Sequence, residues 1–598
     1  MASSPRLYLL DYGAGNVQSL ANSIAKLGYQ FEWISRPEDF AQADKLVFPG
    51  VGAFGTAVAN LRAKGLFEPL RSYLRSGRPY FGICIGMQIL FASSAESPES
   101  EGLGVIPAPI ERFTRESGKA VPHMGWNHAA FVGESAEVQG ESERVGMSEE
   151  DSYYFVHSFR AAYDPATTGE WAHTTTQYGQ ELFVSSVRRE NVFATQFHPE
   201  KSGEVGLRIL EAWLSAPLEA IDAHRVPSTR RTREVIVAPK DGFTKRIIAC
   251  LDVRANDDGD LVVTKGDQYD VREKVESSAF IITTTSTSES PSATTKASSP
   301  TRAVRNLGKP VALANRYYIE GADEICLLNI TSFRNSPLRD QPMLAVVREA
   351  AAQIFVPLTI GGGIKDTVDP DGTPRTALEV AGAYFRAGAD KVSLGSEAVT
   401  AVEKLRENGW VGDGTSAIET IAYVYGRQAV VVSADPRRVF VDPETYQGPY
   451  ADELVRASEA TATSLGSEGE AGKAWWYQCT IKGGREPRPL SICELARGID
   501  ILGAGEFLLN CIDRDGSGRG YDLDLIRLVR RTVGIPVVAS SGAGRTDDFV
   551  DVFEKTGVEA ALAAGIFHRY EVEIGQVKAR CGEAGIRVRR VGSNSNLG

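Results

Sequence analysis

The stretches that decide the fold of the larger part of the chain are IIACLD at residues 247–252 and VVVSAD at residues 430–435. Each is a short β-branched run that stops on an Asp, and each opens the same series in the same order. GADEICLLN from Gly321 and GAGEFLLNC from Gly503 come next, 69 and 68 residues after Asp252 and Asp435, followed by TIGGG at 359–363 and ASSGAG at 539–544. Apolar strands recur to AALAAGIF, residues 560–567, separated by helix-compatible stretches. Two halves of one plan predict a (β/α)8 barrel over residues 244–598, built from two half-barrel repeats. Two stretches interrupt it. Residues 277–301 are dominated by Ser and Thr and read as a flexible insertion, and residues 460–475 read as a polar surface loop.

Upstream, RLYLLDY, DKLVFPGVG, RPYFGICIG and NVFATQFHPE are strand-like runs alternating with helical stretches, which predicts an open α/β sheet over residues 1–215. Residues 216–243, rich in Pro, Arg and Thr and lacking helical periodicity, read as the linker. The length of 598 residues fits about two to four domains. Hydrophobic residues at 42% and charged residues at 24% are globular values and exclude a disordered chain. A net charge of −12 argues against a whole-chain nucleic-acid or membrane-surface binder. Seven Cys with no CxxC pair make neither a disulfide framework nor a zinc ribbon. With no signal-peptide pattern and no long apolar run, a soluble cytoplasmic protein is expected.

GICIGMQILF, residues 82–91, sets Cys84 between Gly82 and Gly86, after an apolar strand and before a helix. A sharp strand-to-helix turn needs small flanking residues and exposes its nucleophile over the helix N-terminus, whose dipole favours the thiolate. A cysteine in an apolar run also reads as a small buried hydrophobe. Far downstream, TQFHPEKS offers His198 as a base and Glu200 as the carboxylate that orients it. PGVGAFG, residues 49–55, is a Gly-rich loop after a strand, open to being a plain turn. Together these motifs resemble the class I glutamine amidotransferases over roughly residues 6 to 214. The resemblance implies that Cys84 attacks the side-chain amide of glutamine, that His198 moves the proton and Glu200 holds His198, and that a glutamyl thioester releases ammonia. It also implies an oxyanion hole at Gly50, Val51 and Gly52, and glutamine contacts from Gln88 and from His157 and Ser158 in YFVHSF. A core place for His157 stays open, and His123 and His128 are unassigned.

In a parallel barrel the chemistry sits at the C-terminal strand ends, where Asp252 and Asp435 would face each other from the first and fifth strands. Paired carboxylates suit general acid and base work, although either Asp could simply cap a strand. KRIIACLDV, LVVTKGDQ, TIGGGIKD, GADKVSLGS, LNCIDRDGSGRGYD and ASSGAGR resemble the cyclase subunit of the imidazole glycerol phosphate synthases, from Lys245 to Arg590. With the first half, the chain resembles the fused bifunctional form of that histidine-biosynthesis family.

The resemblance implies ammonia condensing with the two-phosphate nucleotide PRFAR, with no metal or cofactor. One phosphate would meet Gly362, Gly363 and Ser396 and the other Gly516, Gly542, Gly544 and Gly565, since glycines let backbone N–H groups approach anions. The same turns could merely link strand to helix. Lys265 would add a point charge, and Asp513 and Asp515 would orient hydroxyls. Asn329, where the commoner pattern has Asp, and Gly395–Ser396, where it has Asn-Thr, depart from the family. Arg246, Glu324, Lys391 and Glu506, each at a strand start, would form an ionic ring at the barrel bottom, the family's ammonia gate. The rival readings are a barrel isomerase beside a glutaminase serving another acceptor, and a non-enzymatic scaffold.

Overall fold

The computed structural model describes residues 5–13, 15–50, 52–115, 119–132, 135–218, 242–255, 261–264, 307–330, 338, 342–456 and 473–590. The 277–301 insertion, most of the linker, Val51 and Lys265 lie outside the described residues.

The N-terminal part is an eight-stranded mixed sheet. Glu32–Ile34, Leu7–Leu10, Lys45–Phe48, Tyr80–Ile83 and Val192–Thr195 run parallel in that order; Glu181–Arg189, Ala172–Tyr178 and Ala130–Phe131 complete it antiparallel. Tyr80–Ile83 and Val192–Thr195 are adjacent, with Ile83 opposite Thr195, so the segments that end in Cys84 and His198 leave the sheet side by side. A separate antiparallel pair, His123–Asn127 and Tyr153–His157, lies toward the second domain.

The C-terminal part is a closed parallel barrel. Its strands are Arg246–Ala255, Glu324–Asn329, Leu358–Gly361, Lys391–Leu394, Val430–Ala434, Glu506–Asn510, Val537–Ser540 and Ala560–Ala563, and the eighth pairs with the first. Thr376, Ser416 and Ser491 cap their helices with Glu379, Glu419 and Glu494 at the reciprocal position, a capping box each time. Gly388 and Gly503 close the preceding helices with φ of +115° and +99°, a conformation that favours glycine. Three residues beyond each, the next strand starts with a charged side chain, Lys391 or Glu506.

Two expectations are corrected. The first strand does not stop at Asp252 but runs to Ala255 and folds back as a hairpin onto Leu261–Thr264, with Asp252 opposite Thr264. The polar loop placed at 460–475 ends earlier than expected. Ala474 and Trp475 are fully buried and open the strand Ala474–Ile481, because a continuous apolar run, AWWY, begins there.

Strand periodicity of two divides the barrel's side chains. On the first strand Ile247, Ala249, Leu251 and Val253 join the large core under the helices. The alternate Ile248 and Cys250 form a separate inner cluster with Cys326, Val431, Leu508, Val538, Ala560 and Leu562. One inward file therefore reads Arg246, Ile248, Cys250, Asp252: a cation at the bottom, an apolar lumen, and a carboxylate at the mouth.

Candidate active sites

Cys84 sits at the elbow between Tyr80–Ile83 and a single helical turn, Ile85–Gln88, with φ +47° and 4% exposure. A non-glycine residue is held there only when its surroundings enforce it. The Cys84 amide donates to Thr195 O at 2.7 Å. A Cβ on Gly82 would come 2.4 Å from Gly86 O, one on Gly86 2.5 Å from Phe48 O, and one on Gly50 1.7 Å from Ile83 O and 2.7 Å from Cys84 Cβ. These contacts explain the GxCxG spacing and set Gly50 against Cys84. The expected helix is only one turn, which carries little macrodipole, so the charge that faces Cys84 comes from a side chain.

That side chain is His198. Its Nδ1 lies 2.8 Å from Glu200 Oε1, and both residues are buried. Burial by itself lowers the imidazole pKa; the Glu200 carboxylate and the neighbouring Cys84 outweigh it and raise the pKa to about 10. A raised folded-state pKa stabilises fully below the unfolded value near 6.5, and the contribution is lost as pH rises through about 10. In Glu200→Gln the largest counterweight to burial is lost, so NMR titration of His198 is expected to show a pKa well below 10 and thermal unfolding a weaker alkaline decline. A His198 titration that stays near 10 would show that Glu200 does not hold the charge.

Gln88 donates from Nε2 to Phe159 O at 3.1 Å and to Gln196 Oε1 at 2.9 Å, and Gln196 Nε2 in turn donates to Cys84 Sγ at 3.4 Å. Gln88 thus connects to Cys84 through Gln196, which the sequence reading missed although it stands two residues before His198 in the same motif. His157 uses both ring nitrogens inside the protein, Nδ1 with Phe159 O at 2.8 Å and Nε2 with His123 Nδ1 at 3.3 Å. Burial, opposed by the hydrogen bond to Phe159 O and aided by the charges of His198 and Arg160, pushes its pKa down to about 3. His157 is a neutral core histidine rather than a ligand-facing one. Ser158 keeps a buried hydroxyl without a partner among the described residues.

At the barrel mouth a cavity of ≈ 840 Å3 is lined by Asp252, Asp435, Asp515 and the Gly-rich turns at Gly362–Gly363, Gly516, Gly542–Gly544 and Gly565, together with Ser396. Asn329 and Gly395, the two departures, line it as well. Asp435 Oδ1 accepts from Asn510 Nδ2 at 2.9 Å; burial raises its pKa, with Asp515 adding in the same direction and Asn510 opposing. Asp513 is a correction: it is exposed, absent from the cavity wall, and accepts the Arg438 amide at 2.8 Å. It shares a motif with Asp515, but the short 3₁₀ turn Ile512–Arg514 sends the two apart. Asn510, Lys482 and Arg485 also line the cavity and were missed.

The four charged strand starts form a closed ring. Arg246 reaches Glu324 at 2.8 Å and Glu506 at 2.5 Å, and Lys391 Nζ lies 2.6 Å from each of the same carboxylates. None is more than 2% exposed. Below it stand groups of the first domain. Lys391 Nζ is 3.7 Å from Met124 Sδ, Trp126 Nε1 donates to Asp323 O at 3.2 Å, and Tyr154 is fully buried against the ring's charges with a hydroxyl that has no partner among the described residues. Tyr154 O accepts the His198 amide at 2.9 Å, so one residue separates the ring from His198. Around this contact Asn16 donates to Asp390 Oδ1 at 2.8 Å, Lys201 pairs with Asp390 Oδ2 at 2.7 Å and Val121 N donates to Gly534 O at 2.8 Å.

Residues 8–215 match the family model described as glutamine amidotransferase class-I, and residues 246–573 match that of histidine biosynthesis protein. The fold and sites therefore define an enzyme of the glutamine amidotransferase class joined to a histidine-biosynthesis barrel. Relatives named imidazole glycerol phosphate synthase hisHF are found in Emericella nidulans (48% identical, covering 98% of this chain and 99% of the relative) and Schizosaccharomyces pombe (50%, 95% and 97%). Another, from Arabidopsis thaliana and named chloroplastic, is 50% identical over 97% of this chain and 89% of its own. The chain belongs to the family of fused imidazole glycerol phosphate synthases. Among the described residues no helix is long and apolar enough to cross a membrane.

Proposed function

We propose that this chain hydrolyses glutamine at Cys84 and passes the ammonia through the barrel to PRFAR, giving imidazole glycerol phosphate and AICAR. In this reading residues 1–215 are the glutaminase, 216–243 the linker and 244–598 the cyclase, with Asp252 and Asp435 in equivalent places of two half-barrels. Cys84 Sγ attacks the amide carbon while His198 protonates the leaving nitrogen, and N–H groups of the Gly50–Gly52 loop take the oxyanion charge. Water then releases glutamate. Asp252 and Asp435 exchange protons with the incoming amine and the departing groups during ring closure.

The observation that carries the reading is the continuous inward file from the Arg246 ring through the apolar inner cluster to Asp252 and Asp435. Ammonia is a nucleophile only while unprotonated, and an apolar lumen keeps it so. The test mixes protein and PRFAR with glutamine or with ammonium salt and follows glutamate and AICAR. Glutamate without AICAR from either donor would overturn it.

The ring makes a further prediction. In Lys391→Ala, Glu324 and Glu506 each lose a partner within 2.6 Å, and breaking such a buried pair costs about 3–5 kcal/mol locally. The glutamate-to-AICAR ratio with glutamine as donor is expected to rise well above one, while saturating ammonium still supports the cyclase. A ratio that stays near one makes the ring structural.

A further inference from the structure

The hairpin Ala474–Ile481 with Glu486–Ser491 lies outside the barrel's strand order, and Ile481 pairs with Glu486 across a four-residue tip, Lys482-Gly483-Gly484-Arg485. The first three tip residues have φ of +56°, +64° and +82°. Two are glycines, for which this is ordinary; Lys482 is not, and a left-handed lysine persists where other contacts hold it. One such contact is to the barrel. The Lys482 amide donates to Ser396 Oγ at 3.0 Å, at the first residue of the helix Ser396–Glu407. Arg485 Nη1 donates to Lys482 O at 2.8 Å, tying the second cation to the first.

Lys482 and Arg485 therefore line the same cavity as Ser396, Gly362 and Gly363. Gly362 and Gly363, with φ of +88° and +80°, hold the left-handed backbone conformation that favours glycine. Ser393, two residues above Lys391 on the fourth strand, is 3% exposed and lines the cavity there with a hydroxyl that has no partner among the described residues. Lys482 Nζ is meanwhile parked on Glu486 Oε2 at 2.8 Å, in a pair whose side chains are 64% and 39% exposed. An exposed pair of this kind is weak and is readily exchanged for an anion that offers more charge.

We propose that the Lys482–Arg485 tip is the outer wall of the first phosphate subsite, with Lys482 leaving Glu486 to bind the phosphate over Ser396 and Arg485 bracing it from the same turn. The inference deepens the reading given above, since it rests on a substrate with a phosphate at this end of the cavity. It assigns phosphate affinity to an element outside the eight barrel strands, and it needs no change in the two carboxylates.

Ammonia-dependent turnover of PRFAR by the full chain tests it. Lys482→Ala and Arg485→Ala are each expected to raise KM about tenfold with kcat little changed, the scale of a charge-assisted hydrogen bond near solvent. Lys482→Arg should restore KM, and added salt should raise the wild-type KM more steeply than that of the Ala variants. Glu486→Gln should lower KM, and glutaminase activity without PRFAR should be unchanged throughout. Binding of inorganic phosphate, followed by 31P NMR, reads the subsite without turnover. If the wild type converts PRFAR but KM stays within twofold in both Ala variants, the tip is only structural. If PRFAR is not converted while phosphate binding still falls in those variants, the anion subsite stands and the substrate assignment fails.

Discussion

Cys84→Ala is expected to abolish glutamine-dependent synthesis, by roughly 1,000-fold or more as for loss of an acyl-transfer nucleophile, and to leave ammonia-dependent synthesis intact. Only the first route needs the thioester. The replacement is mild for the fold, since it removes one sulfur and one weak acceptor, that of Gln196 Nε2, from a site already close-packed around Gly50, Gly82 and Gly86. Measuring AICAR with each nitrogen donor decides the matter. Loss of both activities would show that the elbow supports the barrel rather than the glutaminase alone.

Asp252→Asn and Asp435→Asn carry the second large effect, about 100-fold or more with either nitrogen donor, the ordinary contribution of a general acid or base. Asparagine keeps size and polarity. At position 435 its carbonyl oxygen can still accept from Asn510 Nδ2, so geometry survives and only proton exchange is lost. Burial already raises the Asp435 pKa, as a group that must donate a proton near neutrality requires. Asp252 sits within a continuing strand, opposite Thr264, where backbone pairing fixes its direction. Wild-type rates with either amide would remove that residue from the chemistry.

The barrel, the elbow and the ring were legible in the residues because each depends on local order. Alternation along a strand sets which side chains face inward, Gly388 and Gly503 stop helices three residues before a charged strand start, and Gly82 and Gly86 leave room for a sharp turn. Other site features were not. Gln196 and Asn510 act through partners 112 and 75 residues away, and His157 was open between ligand and core until its two nitrogens were seen occupied. Asp513 and Asp515 looked alike until one turn separated them.

The sequence by itself determined two α/β units, the elbow at Cys84, the His198–Glu200 pair, and the inward file of the first strand, since each is written in spacing of one to a few residues. Only the tertiary structure decided that strand Tyr153–His157 brings Tyr154 against the ring while its backbone receives His198, and that a hairpin tip reaches Ser396. Such contacts join segments dozens to hundreds of residues apart. They are selected by packing, charge pairing and the burial of Trp126 and Tyr154 in the barrel's own core, none of which leaves a periodic trace in the chain.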